Sequence, residues 1–149
     1  MVERFTPQTE NSYTMEEIIW QDTFSVGVTE MDDQHQKLIA MINRLIIEQK
    51  TLTTPATLAS LLTKMVDYSR EHFRAEEYLM SEYGYDKKDR QVKLHEEFIQ
   101  KTMEFCSATE FGPNILSVAL LEYLQTWLMD HILKEDMQYK LFFESKGVA

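Results

Sequence analysis

The four histidines of this 149-residue chain, His35, His72, His95 and His131, each fall on the apolar stripe of a different predicted helix. An imidazole in that position is buried and needs a partner, so the helices must pack in a way that lets these polar groups meet. A lone histidine on an apolar stripe is more often a satisfied core residue than a ligand. Four of them, with Glu76 and Asp136 on the same stripes, change that balance, because burying unpaired carboxylates is expensive unless a cation or strong donors compensate.

Only four glycines and three prolines punctuate the chain, and the periodic segments between them are too long for strands. The spacing predicts an all-α protein. A first helix opens near Thr29 to Asp33, where acidic residues suit the positive end of its dipole, and runs to about Lys50 with Met31, His35, Leu38, Ile42 and Leu45 inward. Thr54-Pro55 caps a second helix that Gly84 stops, with Leu58, Leu61, Met65, Tyr68, His72, Ala75, Glu76 and Leu79 on one stripe. A third covers roughly Lys87 to Ser107, with Gln91, Leu94, His95, Phe98 and Phe105 inward. Gly112-Pro113 breaks the chain before a fourth, from about Asn114 to Ser145, whose seam holds Leu120, Leu121, Leu124, Trp127, Leu128, His131 and Ile132. Short connections imply an up-down-up-down antiparallel four-helix bundle. Residues 1–19 read as a partly ordered arm, with an extended Trp20 to Val28 crossing the bundle. Residues 20–145 form the domain, and 146–149 are a tail or the start of a linker.

The net charge of -10 and the lack of a basic run argue against nucleic acid. One cysteine, Cys106, rules out an internal disulfide, and the opening residues lack the apolar run of a secretory signal, so a reducing cytoplasm is expected. No segment approaches the roughly 20 apolar residues of a spanning helix, so no membrane partner is expected.

Side chains at i and i+4 stack on a helix face, so His72 with Glu76, and Gln91 with His95, each reach one small volume. His131 and Asp136 are five apart, about 140° around a regular α-helix, and would have to straddle a metal from either side. Four imidazoles and two carboxylates exceed the needs of one tetrahedral zinc, and two ions sharing bridging carboxylates fit the inventory better. Glu77, Glu97 and Asp130 read as solvated. Phe73, Trp127, Leu128 and Ile132 surround the inferred site as core and pocket wall. Tyr139, three positions after Asp136, either donates a hydrogen bond to a carboxylate or closes the bundle end.

The run Val26-Gly27-Val28-Thr29-Glu30-Met31-Asp32-Asp33-Gln34-His35, with His72-Phe73-Arg74-Ala75-Glu76-Glu77, His95-Glu96-Glu97-Phe98 and Trp127-Leu128-Met129-Asp130-His131-Ile132 followed by Asp136 and Tyr139, resembles the bacterial hemerythrins over about residues 20–143. The resemblance implies a four-helix bundle holding a non-haem di-iron centre, oxo- or hydroxo-bridged, that binds O₂ or small anions such as azide. By that likeness His35 and His72 hold one iron, His95 and His131 the other, and Glu76 and Asp136 bridge them. One departure stands out: the family's third helix carries a His-x-x-x-His pair, and here its first member is Gln91. In the family's usual site one iron is saturated by three histidines and the other keeps an open position for O₂; the loss of an imidazole leaves the three-histidine iron with an amide oxygen, a water or a vacancy, or Gln91 merely hydrogen-bonds to a ligand.

An amide oxygen is a weaker donor than imidazole, which favours an oxygen or redox sensor over a reversible O₂ carrier or store. Residues Glu144 to Ala149 read as the start of a connector to a C-terminal signalling output domain in a longer chain. Either way the reading is a binding module and not an enzyme. The alternative from another class, a di-iron oxidase or peroxidase of ferritin-like chemistry, calls for two Glu-x-x-His pairs and four or more carboxylate ligands, which this sequence lacks.

Overall fold

Residues 15–51, 54–109 and 118–149 are described by the computed structural model. The first fourteen residues of the arm, the Gly112-Pro113 break, the start of the fourth helix and the side chains of Phe105 and Cys106 lie outside the described residues.

Helix α1 (Thr29–Lys50) begins where Asp32 turns back on the chain before it. Its carboxylate accepts from the Val26 amide at 2.8 Å and the Ser25 hydroxyl at 2.5 Å. Gly27, between them at φ 77°, takes the left-handed turn that a side chain would strain. Ahead of it, Asp22–Phe24 form a 3-10 turn inside the segment expected to be extended. Ile18, within the expected arm, pairs through both backbone groups with the Asn43 amide at 2.8 Å, and Met15, Ile18, Trp20 and Phe24 pack on the core.

Helix α2 (Pro55–Tyr83) has Thr54 as N-cap, accepting from the Thr57 amide at 3.1 Å, with Pro55 in the first turn. Gly84 ends it at φ 72°, and the Tyr85 amide closes on the Met80 carbonyl at 2.9 Å, the left-handed stop expected of glycine. Helix α3 covers Lys88–Thr109. The fourth rod is α4 (Val118–Asp130), a π-helical turn over His131–Asp136, and α5 (Met137–Ser145). After Ser145 the chain folds back: Gly147 is left-handed at φ 76°, the Val148 amide bonds the Phe143 carbonyl at 3.0 Å, and Val148 packs on the interior.

Connections as short as residues 51–54 and 84–87 leave antiparallel packing as the only option for the helices they join. α1 lies against α2 and α4, and α3 against α2 and α4, which closes the ring of four rods. The described residues contain no strand.

The apolar interior falls into two clusters. The larger, from Leu38 to Ile46 on α1, Leu58 to Phe73 on α2, Phe98, and Leu120 to Ile132 on the fourth rod, fills one end. The smaller, Val26, Val28, Met31, Met80, Tyr85, Tyr139 and Phe143, fills the other. Each fully buried Leu, Ile or Phe contributes roughly 1.5–3 kcal/mol. His35, Glu76 and Asp136 each fall between the two clusters along their rods, and His72, His95 and His131 lie at the edge of the larger cluster, so the donors form a layer across the bundle.

The expected stripes are correct at the donors and drift away from them. On α2 the buried row is Leu58, Leu62, Met65, Val66, Ser69, His72, Phe73, Glu76 and Met80, while Leu61, Tyr68, Ala75 and Leu79 are half-buried. On α3, Leu94 is half-buried and Thr102 takes an inward place. Strictly alternating steps of four and three average about 3.5 residues and fall behind a straight 3.6-residue repeat, so the inward face creeps along a long helix.

Candidate metal centre

All six expected donors, together with Gln91, are buried, none more than 2% exposed. α1 supplies His35, α2 supplies His72 and Glu76 one turn apart, α3 supplies Gln91 and His95 one turn apart, and the fourth rod supplies His131 and Asp136. Donor atoms of His35, His72, Glu76, His131 and Asp136 lie within 4.8 Å of one another. His95 joins them through Glu76.

Glu76 is the hub. Its Oε1 lies 3.1 Å from His131 Nε2, 3.3 Å from His95 Nε2 and 3.4 Å from His72 Nε2, and its Oε2 lies 3.5 Å from His35 Nε2. Asp136 Oδ2 is 2.8 Å from His131 Nε2 and 2.9 Å from His35 Nε2, and its Oδ1 accepts from the Gln91 amide nitrogen at 3.0 Å. Each carboxylate therefore touches donors from opposite sides of the bundle, as a bridging ligand must.

The π turn corrects the sequence expectation for His131 and Asp136. In a π turn the backbone bond runs from i to i+5 instead of i to i+4, so residues five apart come to share a face. The pair is stacked and in contact, and neither side chain straddles the site.

Protein contacts hold the rings from outside. His72 Nδ1 lies 2.6 Å from Gln34 Oε1, and His95 Nδ1 lies 2.7 Å from Glu77 Oε2. Since both partners are acceptors, each imidazole carries its proton on Nδ1 and turns the Nε2 lone pair inward. Tyr139, fully buried, donates its hydroxyl to Glu76 Oε2 at 2.8 Å. Phe73 stacks on His95 at 4.0 Å between centroids, and Trp127 stacks on His131 at 4.9 Å. Leu128 and Ile132 are buried in the same wall.

Glu77 is thus not simply solvated: it is 27% exposed and engaged with His95. Sequence reasoning missed both Glu77 and Gln34. Each is the chain neighbour of a donor, and the rule that a ligating imidazole gives its outer nitrogen to an acceptor would have singled them out. Glu97 and Asp130 are exposed, as expected.

The charges also report what the site needs. Burial pushes the Glu76 carboxyl up, yet the imidazoles of His72 and His131 outweigh it and hold the group well below the usual carboxylate range. Burial likewise disfavours the charged form of His131, but Asp136 and Glu76 together overcome it and lift the group to about 10. His35 and His95 are raised in the same way, against burial, by Asp136 and Glu76 and by Glu76 and Glu77 respectively. At His72 burial wins and the shift is downward. Two buried carboxylates demand positive charge, and protons on imidazoles can supply it.

Metal cations fit that demand better. Gln91 Oε1 is buried with no partner among the described residues, and Glu76 Oε1, Asp136 Oδ2 and the Nε2 atoms of His35 and His95 meet only one another and the other imidazoles, in contacts that do not make aligned hydrogen bonds. Orphaned acceptors and lone pairs converging in one layer are rare in folded proteins unless something binds them. Imidazole, carboxylate and amide oxygen are donors for iron, manganese or zinc.

A helical bundle with such donors on all four rods defines a cation-binding domain of the non-haem type. The sequence agrees: the family model for the Hemerythrin HHE cation binding domain matches residues 26–141, and the chain belongs to the hemerythrin family. It is 34% identical over 122 residues to a bacteriohemerythrin of Stenotrophomonas maltophilia (strain R551-3), covering 82% of this chain and 78% of that one. It is 33% identical over 125 residues to a bacteriohemerythrin of Pseudomonas aeruginosa (strain LESB58), covering 84% and 80%. A crystal structure of wild-type hemerythrin superimposes with a TM-score of 0.75 at 24% identity, covering 84% of this chain and 96% of that one, which supports the bundle fold.

Proposed function

We propose that this domain binds O₂ at a pair of non-haem iron ions, with His35 and His72 on one ion, His95 and His131 on the other, and Glu76 and Asp136 shared between them. The observation that carries the reading is the convergence of buried imidazole and carboxylate donor atoms, contributed by all four rods of a hemerythrin-family bundle and lacking aligned hydrogen bonds among themselves. A bound ferrous pair would supply the electrons for taking up O₂. The chain's own residues do the rest. Glu77 and Gln34 fix the tautomers of His95 and His72, and Tyr139 holds one oxygen of Glu76. Phe73, Trp127, Leu128 and Ile132 keep water from the inward face.

The role we infer is that of an oxygen or redox sensor in a reducing cytoplasm, and not of a carrier or an enzyme. No helix among the described residues is long and apolar enough to cross a membrane. Gln91 in place of an imidazole favours a site that responds to oxidation, and the fourth rod, carrying His131 and Asp136 on its π turn, is the element through which a change in ligation reaches α5.

Anaerobic iron loading followed by addition of O₂ or azide tests the binding: two irons per chain and a new ligand-to-metal absorption band are expected, and a spectrum unchanged by either ligand refutes the reading. Hydrogen exchange of residues 137–149 in reduced and oxidised protein tests the sensor role, with identical protection counting against it. Multiple-turnover oxidation of added iron would instead establish an oxidase.

A further inference from the structure

Gln91 is the one donor in the layer whose chemistry differs from its neighbours. It lies one turn before His95 on α3, so its amide and that imidazole share a face and approach the same side of the centre. The amide is 2% exposed. Its nitrogen donates to Asp136 Oδ1 at 3.0 Å, and its oxygen has no hydrogen-bond partner among the described residues. The reverse orientation would set the amide oxygen against a carboxylate oxygen, so the bond to Asp136 holds the nitrogen end and leaves the buried oxygen as the free acceptor of the amide. Outside the layer, the adjoining Arg90 forks onto Glu135 with contacts of 2.9 and 3.0 Å, tying the start of α3 to the π turn that carries Asp136.

The two sides of the layer are consequently unequal. His35 and His72, from α1 and α2, offer two imidazole nitrogens. His95, His131 and Gln91, from α3 and the fourth rod, offer two imidazole nitrogens and a neutral oxygen, and the carboxylates are common to both. Imidazole suits iron and the later divalent metals, whereas carbonyl and carboxylate oxygens suit manganese and other hard ions. A position where an amide oxygen stands in for an imidazole binds iron(II) less tightly, and loses less for manganese(II), than one with three imidazoles.

Resting on the two-ion reading above, we propose that Gln91 Oε1 is a metal donor that makes the α3 side of the centre an oxygen-richer position, one that discriminates weakly between manganese(II) and iron(II). The domain would then accept a mixed manganese–iron pair when both ions are present.

The test is anaerobic titration of the metal-free full chain with manganese(II) and, separately, iron(II), for the wild type, Gln91→Leu and Gln91→His, with circular dichroism confirming equal helix content. Bound manganese is read by electron paramagnetic resonance and total metal by elemental analysis. Two ions per chain are expected for the wild type, with Gln91→Leu weakening the binding of one of them by about 10-fold and leaving the other unchanged. Gln91→His should tighten that position for iron(II) more than for manganese(II), widening their ratio on the order of 10-fold. Wild-type affinity for both ions retained in Gln91→Leu, or an equal gain for both metals in Gln91→His, overturns the proposal. Should none of the three chains bind a second ion, the two-ion reading itself fails, a result distinct from either of those.

Discussion

Replacing Tyr139 with phenylalanine isolates one hydrogen bond at the centre of the domain. The hydroxyl is fully buried and donates to Glu76 Oε2 at 2.8 Å, while the ring packs on Phe143 at 4.9 Å. Burial and the charges of Asp136 and Glu76 push the phenol well above its ordinary range, so it is a proton donor at any working pH. Phenylalanine keeps the ring packing and removes only the donor. A hydrogen bond to a charged group contributes about 1.5–3 kcal/mol, and a carboxylate that loses one inside the bundle has no water to replace it. We therefore expect the metal-free variant to unfold about 2 kcal/mol more easily in urea, which for a chain of this size lowers the thermal midpoint by roughly 4–8 °C. Because Glu76 is also the hub of the donor layer, metal affinity should fall by about 10- to 100-fold. Tyr85→Phe is the control, since the Tyr85 ring packs in the same cluster but its hydroxyl makes no hydrogen bond among the described residues. Tyr139→Phe protein within about 0.5 kcal/mol of the wild type, the ordinary range for neutral substitutions, and with unchanged metal affinity, would refute the reasoning.

Three further outcomes follow from the same geometry. His131 titrates at about 10 in the folded metal-free protein against 6.5 in an unfolded chain. Its proton therefore stabilises the fold fully below pH 6.5, and that contribution is lost as pH climbs towards 10. Urea midpoints of the metal-free protein should decline across this window while metal affinity rises, because binding displaces the proton, and a flat pair of profiles would contradict it. Glu77→Gln should weaken metal binding by about 10- to 100-fold with little change in unfolding free energy, measured by competitive chelation and urea denaturation, since it perturbs a half-exposed partner of His95 and no core contact. Deleting Leu133, an exposed residue inside the π turn, should relax that turn to regular α-helix, keep His131 and Asp136 on one face and preserve metal binding. Deleting the exposed Thr126 on α4 should instead rotate everything beyond it by about 100° and abolish binding; equal metal counts for the two deletions would show that the π turn does not absorb a residue.

Much of the architecture was readable because local chemistry marks it. Thr54-Pro55 and Gly84 bound α2 through capping and a left-handed stop, and the buried polar layer was legible because four imidazoles and two carboxylates on apolar stripes together need a cation or strong donors. What escaped was geometry without a residue signature. No sequence pattern announced the π turn, so His131 and Asp136 looked misaligned until the backbone showed the extra residue per turn. Glu77 escaped because one residue away from an inward position means about 100° around the helix, which on pattern alone is solvent. Thr102 in place of Leu94 reflects helix drift that a fixed stripe does not follow.

The dependence of so many imidazoles on Glu76 bears on how the protein is made. The donors are dispersed from residue 35 to residue 136, so a growing chain leaving the ribosome has no finished pocket until nearly the whole domain has emerged and its last rod has swung into place. A half-built product therefore lacks the imidazole and carboxylate of the last rod, and its loose helices stay open to ordinary proteolysis until that rod closes on them.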